Sequence, residues 1–388
     1  MAHRVLILGG GFGGIACAVA LREGLDPGDE VVLVERKTTF VMGLRKNWAV
    51  LDAAAVPAGE RPLSRLAERG IRVVHGTIEA IEPEARAAVV DGQRFEGDAL
   101  VVAMGAARAP EVVPGFLEHV IDWYDFDQLE RGREAVAGLR PGGRVLVGIF
   151  GLPYPCPPAA FELALLINDR LRERGHDGTV EVFSPQALSL PILGQAGCGT
   201  FESRLDIAGV PFHRSHVAAR IEPGRVVFGP AAEGATAPPD RPFDVLFGIP
   251  PHRVPDVVAA SGLTRGKPWV PVDARTLETG LDGVYAIGDV TVIPLSNGQM
   301  LPKAGLFAQR EGETVAARIA ASFRGETPTA TFNGTGACFL EVGGGMASMV
   351  TGHFLADPPQ VQLEEPSATH LAAKHAFERE RLSAWFGG

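Results

Sequence analysis

The chain has 388 residues, 46% hydrophobic and 21% charged, a folded globular composition with room for two or three domains. Its 36 Lys and Arg against 46 Asp and Glu leave a net charge of −10, which argues against a bulk electrostatic grip on nucleic acid. Four cysteines are too few for a disulfide framework but enough for one redox pair, and 48 glycines promise many tight turns.

The first residues, MAHRVLILGGGFGGIACA, lack a basic region followed by a long apolar run, so no secretory signal is expected. No window holds the roughly 18 uninterrupted apolar residues of a membrane-spanning helix. The expected location is cytoplasmic. Residues 4–14 read RVLILGGGFGG, a buried strand running into Gly9-x-Gly11-x-x-Gly14 with Phe12 inside the motif. A helix-like stretch follows over 15–23. The first glycine permits a tight turn, the second lets backbone approach a pyrophosphate, and the third lets helix pack on strand. The helix N-terminus then presents unpaired N–H groups to the phosphates. A second strand, 31–34, ends at Glu35, 21 residues past Gly14, where an acid binds ribose hydroxyls.

Residues 99–107, ALVVAMGAA, form another apolar strand that ends in Ala103-Met104-Gly105. Residues 144–149 are a further strand, but the loop after it carries Pro153, Pro155, Pro157 and Pro158. Proline has no N–H, so this loop lacks the successive donors a pyrophosphate needs, and no tight NAD(P)H site is expected there. The loop carries Cys156 instead, with Glu162 at the start of a helix-like stretch over 160–171. A free cysteine is more often a packing residue, but a proline-hemmed loop at the carboxyl end of a strand is a poor place to pack.

Cys17 falls on the core face of the first helix. Cys198 has no evident partner, and His213 and His216 read as surface-loop positions. Residues 229–241, GPAAEGATAPPDR, read as a surface hairpin or loop. Residues 284–290, VYAIGDV, form a strand that ends in Gly288-Asp289, where a carboxylate reaches a ribityl hydroxyl. The segment GQMLPKAG at 298–305 carries Lys303 and opens a helix over 306–323. In TFNGTGACFLEVGGG, residues 331–345, Cys338 and Phe339 lead into a short strand, 182 residues beyond Cys156, so only the fold can join the pair. In the last segment, 370–386, Leu371, Leu382, Trp385 and Phe386 share one helical stripe with Glu378. Its near-neutral charge suits packing on the protein or on a second subunit better than a basic membrane anchor.

In the content and order of these motifs the chain resembles the two-dinucleotide-binding-domain flavoproteins. In PYPCPPAAFE (residues 153–162), Cys338 and the P-K-x-G segment at 302–305 it resembles the sulfide:quinone oxidoreductase and flavocytochrome c sulfide dehydrogenase family. The resemblance implies an α/β fold with two Rossmann-like dinucleotide-binding domains. An FAD domain over 1–108 and 271–326 is split by a second domain over 109–270, and 327–388 form a small C-terminal region. It implies FAD held by Gly9, Gly11, Phe12, Gly14, Glu35, Ala103, Gly105, Gly288, Asp289 and Lys303. The FAD is expected to be non-covalent, because TTFVMG at 38–43 lacks the attaching cysteine.

The resemblance further implies that Cys156 and Cys338 form a disulfide, or a sulfur-bridged version of one, above the flavin. Glu162 then handles protons, Lys303 lies at the flavin N1–C2=O edge, and Phe339 flanks a quinone ring. Two readings compete for Phe339 and Glu162: an ordinary strand aromatic, and an exposed or capping glutamate. The segment IDWYD at 121–125 lacks the third cysteine of many relatives, so a three-cysteine route is not carried over. The implied partners are sulfide or a persulfide and a quinone acceptor, with weak or no peripheral membrane contact and a homodimer left open. An NAD(P)H-dependent flavoprotein dehydrogenase and a non-catalytic flavin-binding assembly or sensor protein remain as alternatives.

Overall fold

A computed structural model describes residues 2–387. The first strand, Arg4–Leu8, is apolar on both faces and takes the centre of a five-stranded sheet. Its neighbours are Glu30–Glu35 and Ala99–Val102, flanked in turn by Ile71–His75 and Val284–Ala286, all parallel. Alternation along each strand divides the core. Val5 and Ile7 pack toward the helix Phe12–Gly24, while Leu6 and Leu8 face the opposite layer, where the antiparallel strands 78–82, 87–90 and 93–96 lie. Continuous burial on both faces is what parallel strands require. The helix Gly305–Phe323 packs beside the first helix, so residues from both ends of the chain close one layer.

A second sheet is also parallel, in the spatial order Phe212–His213, Thr179–Phe183, Arg144–Ile149, Val245–Ile249. The helix Ala159–Glu173 covers one face and the strands 217–222, 225–229 and 241–242 lie on the other. The polar segment expected as a hairpin or loop connects the last two of these strands and is mostly exposed. The chain crosses between the sheets at 107–108 and 252–253, which pair antiparallel. Val254, Val258, Leu263, Trp269 and Val270 already join the core beneath the first sheet. From this stretch 284–286 adds a strand to that sheet, and Val270 with Thr291 and Glu278 with Tyr285 make isolated bridges near it.

The C-terminal region is an antiparallel sheet of Thr335–Gly343, Met346–His353 and Gln360–Leu363, followed by the helix Ala368–Phe386. The Ser367 hydroxyl caps that helix by accepting the His370 N–H at 3.0 Å. No helix among the described residues is long and apolar enough to cross a membrane.

Candidate active site

The glycine motif can close on itself because nothing larger fits at Gly9 and Gly14. A Cβ on Gly9, which lies at φ +107°, would meet the Ala103 carbonyl oxygen at 2.4 Å, and one on Gly14 would meet the Gly9 oxygen at 1.9 Å. Gly11 faces open space at the N-terminus of the first helix. The Glu35 carboxylate sits at the end of its strand, where it accepts the Gly10 N–H at 2.8 Å and the Lys37 N–H at 3.0 Å. A cavity of about 640 Å³ runs from Glu35 past Gly9–Gly11 to Met104 and Gly105. A second cavity, of about 290 Å³, shares Gly11, Ala103 and Gly105 with it. Open space before Gly11 at a helix N-terminus, an acid at one end and an adjoining second chamber fit a flavin dinucleotide.

The second chamber collects the chemistry. Cys156, Cys338, Phe339, Lys303, Asp289, Glu162 and Phe12 all line it. Cys156 arrives from the proline loop in a left-handed conformation, φ +58°. Its N–H donates to the Lys303 carbonyl at 2.7 Å and its own carbonyl accepts the Ala159 N–H at 2.9 Å, so the loop is tied to the first sheet and to the 159–173 helix. The Tyr124 hydroxyl holds the neighbouring Pro155 carbonyl at 2.6 Å. Cys338 arrives from the C-terminal sheet, opposite Val350.

All four cysteines are free thiols. Cys156 and Cys338 therefore share one chamber without a bond between them, unlike the disulfide the resemblance implies. Burial pushes both thiols above their ordinary pKa. At Cys156 the nearby Lys46 ammonium is the largest opposing influence.

Lys303 is 6% exposed, not a solvated surface lysine. Its ammonium donates to the Asp289 carbonyl at 2.6 Å and the Thr291 carbonyl at 2.8 Å, and lies 3.7 Å from the centre of the Trp269 ring. Burial brings its pKa down to about 8, against the pull of Asp289 and Glu311. The 305–323 helix begins two residues later, so a helix N-terminus and a lysine converge on the same wall. Beneath them Glu311 accepts the Gly288 N–H at 2.6 Å, and burial pushes its carboxyl up to about 7.

Glu162 is neither exposed nor a cap, which corrects both bland readings of it. It is buried and accepts from Lys374 Nζ at 2.7 Å, the Glu341 N–H at 2.7 Å and Asn47 Nδ2 at 3.1 Å. Lys374 also pairs with Glu341 at 2.8 Å. Burial works against the Lys374 ammonium, yet the two carboxylates hold its pKa above the ordinary value. Sequence reasoning missed Lys46, Asn47 and Lys374. The available signal was Glu378 in an apolar stripe: Lys374, Glu378, Leu382 and Trp385 fall within about 80° of one another on the helix, and all four are buried. Glu378 answers Arg45 with two bonds of 2.6 Å. The stripe is thus used up inside the chain. Phe339 is half-buried and meets Phe377 of the same helix edge-on at 6.0 Å.

The carboxyl end of the second sheet is furnished differently. Phe150 stacks edge-on against Phe116 at 4.9 Å and Phe183 at 5.2 Å, and Gly151 lies so close to Pro251 that a Cβ would meet it at 2.8 Å. Rings and prolines stand where a phosphate cradle would need open N–H groups. Cys17 is in the core, and the Cys198 thiol, also buried, donates to the Leu190 carbonyl at 3.0 Å. His213 is not a loop residue. It ends a strand of the second sheet and meets Glu181 at 2.6 Å.

Comparison with known proteins follows the same lines. Residues 3–148 match the family model of the pyridine nucleotide-disulphide oxidoreductases. The chain is 26% identical over 387 residues to a sulfide-quinone reductase of Aquifex aeolicus, covering 92% of this chain and 84% of that one. It is 26% identical to an alternative NAD(P)H-ubiquinone oxidoreductase of Arabidopsis thaliana, covering 80% of this chain and 65% of that one. The crystal structure of sulfide:quinone oxidoreductase from Aquifex aeolicus superposes with a TM-score of 0.87 at 20% identity, over 100% of this chain and 92% of the other.

The fold is of the type found in the pyridine nucleotide-disulphide oxidoreductases, with Rossmann-like parallel sheets, and the cradle fits a flavin dinucleotide. Over most of its length the chain is similar to sulfide:quinone oxidoreductases.

Proposed function

We propose that this chain is an FAD-dependent oxidoreductase that takes electrons from sulfide or a persulfide through Cys156 and Cys338 and delivers them to a quinone. The observation that carries the reading is the meeting of Cys156, Cys338 and Lys303 in one chamber joined to the glycine cradle. A non-covalent FAD would be held by Gly9, Gly11, Phe12, Gly14, Glu35, Ala103, Gly105, Gly288 and Asp289, and Lys303 would balance the negative charge that its reduction adds.

In the oxidised enzyme Cys156 and Cys338 share a disulfide. Hydrosulfide attacks Cys156 Sγ, a sulfur–sulfur bond forms there, and Cys338 leaves as a thiolate. A second sulfide or thiol removes the outer sulfur from Cys156. The two thiolates then close again to the disulfide and give up two electrons; FAD bound beside them would supply the two-electron acceptor that links the pair to quinone. Glu162, bonded to Lys374, handles protons beside the pair. Phe339 and Phe377 offer aromatic surface to the quinone ring.

The test is anaerobic mixing of the holoenzyme with sulfide while flavin absorbance is followed. Sulfide bleaches the wild type, and Cys156→Ser and Cys338→Ser each abolish the bleaching. Unchanged bleaching in both variants overturns the reading. Bleaching by NADH at a comparable rate favours an NAD(P)H dehydrogenase, and no bleaching by either donor favours a flavin-binding assembly protein.

A further inference from the structure

One buried cation in the chamber has no part in the chemistry above. Lys46 lies on the short helix Arg45–Ala49, is 6% exposed and lines the chamber that holds Cys156. Its ammonium rests 3.4 Å from the centre of the Tyr124 ring and, among the described residues, has neither an ion pair nor a side-chain hydrogen bond. The groups whose charge it feels are Cys156, Asp289, Glu162 and Asp122. Asp122 is bound to Arg108 and Glu162 to Lys374, which leaves Cys156 and Asp289 without a cation of their own except Lys303 near Asp289.

A buried cation without a counter-charge is costly, and the cost falls when an anion enters the space before it. Here that space is the chamber. The ring under the ammonium belongs to the residue that fixes the cysteine loop, because the Tyr124 hydroxyl donates to the Pro155 carbonyl. Behind it, Arg45 locks the short helix to Glu378 of the C-terminal helix. Cation and cysteine are thus positioned by one shared scaffold. Burial also holds the Lys46 ammonium below its ordinary pKa, as expected of a cation awaiting an anion.

We propose that Lys46 and Cys156 form an anion subsite, in which the Lys46 ammonium holds the negative sulfur. The occupant is hydrosulfide as it approaches Cys156, and then the Cys156 thiolate or persulfide anion. The inference rests on the reading that Cys156 carries the sulfur, but it is tested by charge selectivity and not by turnover.

Reduced wild-type holoenzyme is alkylated with anionic iodoacetate and, separately, with neutral iodoacetamide. The rates at Cys156 and Cys338 are read by peptide mass spectrometry, with free cysteine as reference. The iodoacetate-to-iodoacetamide ratio at Cys156 exceeds that of free cysteine by about tenfold, the weight of about 1.4 kcal/mol of charge attraction. Lys46→Gln brings the ratio to the reference value and Lys46→Arg restores most of it.

A wild-type ratio equal to that of free cysteine overturns the proposal, and needs no variant to fold. So does a Lys46→Gln variant that slows both reagents equally, or a Cys156 that neither reagent reaches. A Lys46→Gln variant whose flavin midpoint potential moves while the Cys156 ratio does not assigns the cation to the flavin instead, and overturns the subsite. Unchanged sulfide-dependent bleaching in both Cys156→Ser and Cys338→Ser would overturn the function while leaving the wild-type ratios untouched.

Discussion

Cys156 is the residue on which geometry and chemistry press hardest. A left-handed φ of +58° costs an L-residue about 1–2 kcal/mol. The backbone is held there by the Lys303 carbonyl on one side and the Ala159 N–H on the other. Such strain persists where the surroundings over-determine it, and here it sets the thiol on the wall of the chamber. Glycine has no Cβ to strain, so Cys156→Gly and Cys156→Ala separate the sulfur from the backbone. Elsewhere alanine is the more stable of the two by about 0.5–1 kcal/mol, through the entropy of the unfolded chain. At this position the order reverses, with the glycine variant more stable by about 0.5–1 kcal/mol once the relieved strain is set against that entropy. Urea unfolding of the two variants measures it. Alanine as the more stable variant would mean that the backbone there is relaxed.

Among the elements, the C-terminal helix links most to the site. Trp385 meets Phe12 edge-on at 5.3 Å and Phe40 at 5.8 Å. Phe12 belongs to the glycine motif, so the end of the chain packs onto the dinucleotide cradle at its beginning. Lys374, Glu378 and Trp385 lie on one stripe, which ties the Glu162 network, the Arg45 helix and the cradle to a single rod. Trp385→Ala should cost about 3–5 kcal/mol, the range for deleting a large buried aromatic. It should also loosen Phe12, so the variant loses flavin on gel filtration where the wild type keeps it. Arg379→Ala, on the exposed side of the same helix, changes neither Tm nor flavin content. Equal flavin retention in Trp385→Ala and wild type would separate the helix from the cradle.

This helix also marks what a linear reading can reach. Its apolar stripe was visible, and so was the carboxylate lodged within it. The partners of that carboxylate were not visible, because Arg45 lies 333 residues away. Lys46 was hidden for a related reason: in LRKNW, residues 44–48, it reads as one of two adjacent solvated cations. It is buried because Tyr124 and the cysteine loop close over a helix too short to have a predictable face.

At the scale of the whole molecule, the chamber has three sources: the first sheet supplies the cradle and Lys303, the second sheet's loop supplies Cys156, and the C-terminal sheet supplies Cys338. The positions of the cradle, Glu35 and Asp289 at the ends of their strands were legible because each is written in a few consecutive residues, whereas Lys303 was singled out by resemblance. That Cys156 and Cys338 share one chamber could be expected only by resemblance, since no local pattern spans 182 residues. The two sheets share an architecture but differ at their carboxyl edges. One ends in glycines that lead into a helix N-terminus, the other in Phe150 and four prolines. That difference predicts unequal ligand linkage. A ligand that binds only the folded state stabilises it by RT ln(1 + [L]/Kd), about 2.7 kcal/mol at a hundred times Kd. FAD added to flavin-free protein should therefore raise Tm progressively with concentration. NADH added to the holoenzyme over the same range should leave Tm unchanged. Differential scanning fluorimetry reads both. A concentration-dependent rise with NADH would require a second nucleotide site that tolerates prolines in its loop, and would return the NAD(P)H dehydrogenase reading to the front.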